Sequence, residues 1–315
     1  MSPWLPLRRR VGRWLPARLK SALRRVLPAR LTGRPPVTRR FWLTMPVPPA
    51  GLGGSVRVSP VPRRVRFEAP GRSYVPRLLA EGGVAQYEPE TIAAFLASIS
   101  TRGASEAFDI GANAGIFSIV AAATTTTRIT GFEPTPALAS TFRGIVQANG
   151  LTCQVEELAL GASTGTATLY VSAKTDSSNS LRAGFRPAAG SIEVPLERLD
   201  DYVTRSGRRP EVMKIDTETT EPDVLAGAIE TLRDGRPWIV CEVLAGTTEA
   251  ALMSILRPLG YRFHHLSGAS VPIESLEIEG DPTYLHRDWL FTPGTLPEAF
   301  AAHYVAWITA LQGAV

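Results

Sequence analysis

Carboxylates at regular distances from glycines give the chain its chemistry. The stretch "FDIGANAGIF" (Phe108 to Phe117) leads an apolar run into Asp109 and then sets Gly111 and Gly115 around an asparagine. A dinucleotide turn wants GxGxxG, whose glycines admit a pyrophosphate to a helix N-terminus. Here the middle glycine is missing and a negative charge opens the turn. That charge disfavours a diphosphate and favours the ammonium of an amino-acid moiety, as in S-adenosylmethionine. Glu133, 24 positions beyond Asp109, falls at the end of the next strand, where a carboxylate can accept two ribose hydroxyls. A nicotinamide site uses such a residue too, so Glu133 alone does not discriminate between the two.

A second group of acids follows. In "KIDTETTEPDVLAGA", Asp216, Glu218 and Glu221 crowd a strand end and helix start, and Glu242 closes the next strand. Such a cluster can serve as general base, orient a hydroxyl, or bind a hard divalent ion through oxygen. The alternative is that Glu218 and Glu221 merely complement the helix dipole. An alcohol is a poor nucleophile at neutral pH, so methyl transfer to it benefits from a base or a metal together with in-line alignment.

The elements that position these residues are legible as an alternation. Pro89 starts a helix with Ile92, Phe95, Leu96 and Ile99 on one face, and Ala107–Ile110 reads as a buried strand. Ile116–Ala123 reads as a helix, "RITGFEP" as a strand, and Thr135 caps a helix ended by Asn149-Gly150. "CQVEELALG" and "TATLYVS" read as further strands, followed by "EVMKID", the helix "EPDVLAGAIETLRD" and the strand "WIVCEVL". Strand-helix alternation predicts an α/β fold with a mostly parallel sheet, which binds ligands beyond its carboxyl strand ends. Asp109, Glu133, Asp216 and Glu242 all belong at such ends.

Taken together, "YEPET", "FDIGANAGIFS", "GFEPTP", "LDDYV" and "KIDTETTEPDVLAGA" resemble the FkbM-type methyltransferase family, a branch of the class I S-adenosylmethionine-dependent enzymes. The resemblance covers Tyr87 to Glu242. It implies a Rossmann-like, seven-stranded sheet with a reversed final strand and helices on both faces. It also implies O-methylation of a hydroxyl, commonly on a sugar, glycan or secondary metabolite. The cofactor is expected on the first three βα turns, and Glu88, Asn113, Pro134 and Ala159 join Asp109, Gly111, Gly115 and Glu133 as expected cofactor contacts. The family more often carries glycine and alanine where Thr219 and Thr220 stand. It has serines in the loop "DSSNS", so Ser178, Asn179 and Ser180 are candidate acceptor contacts, although such residues also simply make turns.

Charge divides the chain. Of 34 Lys and Arg, 16 precede Glu68, the first acidic residue, leaving 18 basic against 29 acidic residues in the rest, a net of −11. The expected organisation is a basic, Pro/Arg-rich extension over residues 1–70 and a methyltransferase domain over 71–315. Within the extension "ARLKSALRRVL" (Ala17 to Leu27) reads as a short basic amphipathic helix, suited to an anionic membrane surface. A solubilising tail, a targeting segment and a nucleic-acid contact are the alternatives, and Pro35–Pro70 reads as an irregular connector. An acidic body argues against RNA modification, the second functional class considered; a non-catalytic cofactor-binding protein is the third.

With 315 residues, no apolar run near 20 residues and two cysteines lacking a CxxC pair, the expectation is a soluble cytoplasmic protein, peripheral at the inner membrane face at most. His264 and His265 are competing bases on a late strand. The C-terminal stripe Phe300, Tyr304, Trp307, Ile308 and Leu311 reads as core or as a homodimer contact.

Overall fold

A computed structural model describes residues 38–52, 63–268 and 271–314. The helix expected at Ala17–Leu27 lies outside them. The chain divides into two units, residues 1–38 and 39–315, and the described elements belong to the second apart from the first residue of the first strand.

That unit begins earlier than expected. Strands β1 (Thr38–Thr44) and β2 (Arg64–Pro70) form a two-stranded sheet where the density of Pro, Gly and Arg predicts a connector. Val65, Phe67 and Ala69 are buried while the residues between them are exposed or half-buried, and Phe41 stacks on Phe67 with centroids 5.2 Å apart. The period-2 alternation is present, but arginines occupy the outward positions and disguise it. Asn149 ties β2 down, accepting from the Arg66 N–H and donating to the Arg66 carbonyl, both at 2.8 Å.

Along the rest of the chain run α1 (Tyr74–Gly82), α2 (Pro89–Arg102), β3 (Glu106–Ile110), α3 (Ile116–Thr124), β4 (Arg128–Phe132), α4 (Pro136–Ala148) and β5 (Cys153–Glu156). After β6 (Ala159–Leu160), β7 (Gly165–Ser172) and β8 (Ala188–Glu197) come α5 (Leu199–Ser206), β9 (Val212–Ile215), α6 (Glu221–Ala226), β10 (Trp238–Glu242) and α7 (Glu249–Leu256). The chain closes with β11 (Arg262–His265), β12 (Ile273–Ser275), β13 (Asp288–Thr292) and α8 (Glu298–Gln312).

The main sheet has the order β12-β11-β13-β10-β9-β3-β4-β5. Strands β3, β4, β5, β9 and β10 are mutually parallel, and β13 is antiparallel to β10 and β11. This is the expected α/β sheet with its reversed final strand. One difference is an eighth, three-residue strand, β12, added antiparallel at the β11 edge. Alternate strand residues feed two cores: Val212 and Val240 join the α2, α3 and α8 side, whereas Met213, Ile215, Ile239 and Cys241 join the α5, α6 and α7 side. The C-terminal stripe is core, since Phe300, Tyr304, Trp307 and Leu311 are fully buried and α8 packs along α2.

"TATLYVS" does form a strand, but outside the main sheet. β7 pairs antiparallel with β8 in a separate three-stranded sheet with β6. Too few of its residues are apolar for a strand covered on both faces. The excursion instead carries residues 176–180 to the turns that follow β3, β4 and β9, where Asp176 meets Asn113, Asn179 meets Thr135 and Ser180 meets Glu218. Among the described residues no helix is long and apolar enough to cross a membrane.

Candidate active site

The first turn is built by close approach. Gly111 has φ +80°, and a Cβ there would lie 1.8 Å from the Asp216 carbonyl oxygen; Gly115 has φ +83°, and a Cβ would lie 2.2 Å from the Phe142 ring. Only glycine satisfies both demands at each position. The turn is then latched to β4. Gly111 and Ala112 N–H groups donate to the Phe132 carbonyl, at 3.0 and 2.9 Å, and the Asn113 N–H donates to Glu133 Oε2 at 2.8 Å. The Thr135 N–H donates to Glu133 Oε1 at 2.7 Å. Each oxygen of Glu133 therefore keeps one lone pair for a ligand. Burial raises its pKa, and the Thr135 and Asn113 hydrogen bonds pull against that rise.

These residues line a cleft of about 770 Å³, bounded by Gly111, Asn113, Glu133, Pro134, Ala159 and Thr217 among others. Three expected cofactor contacts lie elsewhere. Gly115 packs under the turn against Phe142. Asp109 is fully buried: its Oδ2 accepts from Ser118 N–H and Oγ at 3.0 and 2.7 Å, and its Oδ1 is 4.0 Å from Lys214 Nζ. It braces the turn from below rather than facing the cleft. Glu88, at φ 45° before α2, lines the neighbouring cleft and pairs with Arg287 at 3.5 Å.

That second cleft, of about 1130 Å³, is lined by Tyr74, Glu88, Lys174, Arg186, Glu242 and Arg287 among others. Tyr87, Ser177, Asp216 and Glu218 line both clefts. The strand-end acids thus stand where the two spaces meet. Ligand oxygens of Asp216, Glu218 and Glu242 lie within 4.8 Å of one another.

Two cations hold this acidic group together. Lys214 Nζ is 3.0 Å from Asp216 Oδ2 and sits 4.6 Å from the Phe117 ring centroid. Burial works against its charge, yet Asp216, Asp109 and Glu88 leave its pKa above the ordinary lysine value. Arg287 pairs with Glu242 as well as with Glu88. Burial followed by the Asp216 charge pushes Glu218 up to about 8, and burial followed by Asp288 and Asp216 does the same for Glu88. Glu242 is raised well above the carboxylate range by burial and Asp216, with Arg287 pulling the other way.

Glu221 has a different place. Its Oε1 accepts from Thr217 N–H at 2.8 Å, Thr217 Oγ1 at 3.0 Å and Thr219 N–H at 3.2 Å, and it lines neither cleft. It is a positioning residue for the loop 216–220. That loop is strained, since Glu218 and Thr219 have φ 55° and 86°. Ser180 Oγ donates to the Glu218 carbonyl at 2.6 Å. Asn179 accepts from Ser172 N–H at 2.9 Å and donates to Thr135 Oγ1 at 3.3 Å. Both line the first cleft, so of the three expected acceptor contacts only Ser178 lines the second alone.

The histidines drop out as bases. His264 is buried against Thr292 Oγ1 at 3.0 Å, with burial lowering its pKa to about 4. His265 lies over Trp289, and neither lines a cleft. Lys214, Arg287 and Tyr87 are site residues that spacing does not reveal. A lysine inside the buried run "EVMKID" was the available signal, because a buried ammonium demands acidic partners.

Residues 109–263 match the family model of the methyltransferase FkbM domain. The chain carries an FkbM-type domain of the S-adenosylmethionine-dependent methyltransferases. Among solved structures, it is similar to a methyltransferase FkbM from Methylobacillus flagellatus KT, at 14% identity and a TM-score of 0.38, over 60% of this chain and 43% of that one. It is also similar to the T. thermophilus 16S rRNA N2 G1207 methyltransferase in complex with AdoMet and guanosine, at 13% identity and a TM-score of 0.44, over 82% of this chain and 51% of that one. No curated protein matches the sequence.

Proposed function

We propose that the chain transfers the methyl group of S-adenosylmethionine to a hydroxyl of a sugar, glycan or secondary metabolite held in the second cleft. The observation that carries this reading is that Asp216 and Glu218 line both clefts at their junction. The cofactor supplies an activated methyl on its sulfonium. The chain's own residues do the rest: Glu133 accepts from the ribose, Gly111 admits the ligand beside the strand ends, and Tyr87 walls the junction. Glu218, with its pKa near the operating pH, takes the acceptor proton as the hydroxyl attacks in line, and Lys214 steadies Asp216 beside it.

The three clustered acids also fit a hard divalent cation, because all their ligands are oxygen and Glu242 Oε2 is buried without a hydrogen-bond partner. Asp216, Glu218 and Glu242 would hold it, and it would lower the acceptor pKa. Methyl transfer to a panel of hydroxylated acceptors is the test. Asp216→Asn and Glu218→Gln should each lower turnover by about a hundredfold or more with S-adenosylhomocysteine affinity retained, and a chelator separates base from metal. Full turnover in both variants sinks the assignment. The floor of acids argues against an RNA acceptor, and absence of turnover across the panel would favour a non-catalytic binding role.

The basic segment before Glu68 supports a peripheral contact with anionic membrane, each Lys or Arg near the surface contributing on the order of 1 kcal/mol. Full-length protein should sediment with anionic liposomes at low salt, and a chain lacking residues 1–37 should not. Equal sedimentation of the two overturns the contact.

A further inference from the structure

Beyond the β7–β8 ladder the chain brings two cations into the lining of the second cleft. In the β7–β8 ladder Ser172 is opposite Ala188, and the Ala173 N–H donates to the Pro187 carbonyl at 2.9 Å. Beyond that bond, outside the ladder, the two arms carry Lys174 and Arg186. Both are exposed, both line the second cleft, and among the described residues neither forms an ion pair. Residues 68–315 have a net charge of −11, so carboxylates are in excess, yet among the described residues neither cation has an ion-pair partner; the Arg186 charge acts on Glu218 without a salt bridge to it. The Arg186 guanidinium is held 4.5 Å over the Phe185 ring, which restrains it without consuming its donors.

The rest of the cleft is of opposite sign. Its lining includes Glu88, Asp216, Glu218 and Glu242, with Arg287 already paired to Glu88 and Glu242. Thr175, Ser177 and Ser178 add hydroxyls to the same lining, linked through Thr175 Oγ1 at 3.1 Å to each serine. The cleft is therefore bipolar. Its acidic end accepts hydroxyl protons, and its basic end suits a group with several anionic oxygens, which arginine binds by a planar fork and lysine as a point charge.

We propose that Lys174 and Arg186 form an oxyanion clamp, so that the acceptor carries a phosphate or carboxylate in addition to the hydroxyl that is methylated. This rests on the reading of the second cleft as the acceptor site. The clamp would orient the acceptor, anion at Lys174 and Arg186 and hydroxyl at Asp216 and Glu218.

The test uses the full chain saturated with S-adenosylhomocysteine, titrated with inorganic phosphate, glucuronate and glucose while side-chain resonances of labelled lysine and arginine are followed. At least one of phosphate and glucuronate should saturate Lys174 and Arg186 signals, at least tenfold tighter than glucose, and weaken with added salt. The stronger of the two identifies the anion. The double variant Lys174→Ala/Arg186→Ala should lose tenfold or more of that affinity while binding S-adenosylhomocysteine as before. If neither anion saturates those signals, or if the double variant binds them equally, the clamp is overturned and the methyltransferase reading stands. Failure of the unaltered chain to bind S-adenosylhomocysteine would instead sink the reading on which it rests.

Discussion

Replacing Glu218 by glutamine should change how the stability of the ligand-free protein depends on pH. In the folded state burial and Asp216 hold this carboxyl at about 8, against 4.5 for the ordinary group. A raised pKa means that the native state binds the proton more tightly than the unfolded chain does. The stabilisation is complete below the unfolded value and is lost as pH rises through the folded one. Between the two, the unfolded state has released its proton and the native state has kept it, so the unfolding free energy falls by about 1.4 kcal/mol per pH unit. Integrated from pH 5 to pH 8, a proton held by Glu218 and the acids coupled to it removes on the order of 3 kcal/mol, a large share of the 5–15 kcal/mol that typically holds a domain together. Glutamine keeps the shape and cannot ionise. Urea denaturation of both proteins at half-unit steps from pH 5 to pH 8.5 is the assay. The unaltered protein should lose stability across this range, and Glu218→Gln should lose about 3 kcal/mol less. Parallel profiles would show that Glu218 is already ionised in the folded protein, and with that its role as a base tuned to neutral pH would fail.

Two further outcomes rest on the geometry of the turn and the loop. Glu133→Ala should weaken S-adenosylhomocysteine binding by about tenfold or more in calorimetry, since each charge-assisted hydrogen bond contributes roughly 1.5–3 kcal/mol and the Asn113 and Thr135 latches go with it; unchanged affinity would remove Glu133 from the site. Thr219→Gly should stabilise the protein by about 1 kcal/mol in urea, because relief of a β-branched residue at φ 86° outweighs the backbone entropy glycine adds; a lower midpoint would show that Thr219 is unstrained.

Features that depend on near neighbours are legible in the amino-acid order. The strand, turn and helix around Asp109–Gly115 come from apolar runs, two glycines and the next apolar face, and the same holds for β4, α4, β9 and β10. Their order implies a parallel sheet, and with it the strand ends at which Glu133, Asp216 and Glu242 stand. The shorter alternation of β1 and β2 is hidden, because arginine on an outward face looks like a connector when proline and glycine lie close by.

Long-range packing settles which acids face a cleft and which are structural. Asp109 and Glu221 have the same strand-end and helix-start addresses as Asp216 and Glu218, yet Ser118 takes up one oxygen of Asp109 and the loop 217–219 one oxygen of Glu221, and neither residue lines a cleft. Arg287 reaches Glu242 across 45 positions and Glu88 across 199, and Lys174 and Arg186 line one cleft only because β7 and β8 pair. Periodicity reports what a residue does within its own turn or strand. A carboxylate's charge state and function depend on the counter-charge, burial and open volume around it, and those are assembled from segments that no local pattern connects.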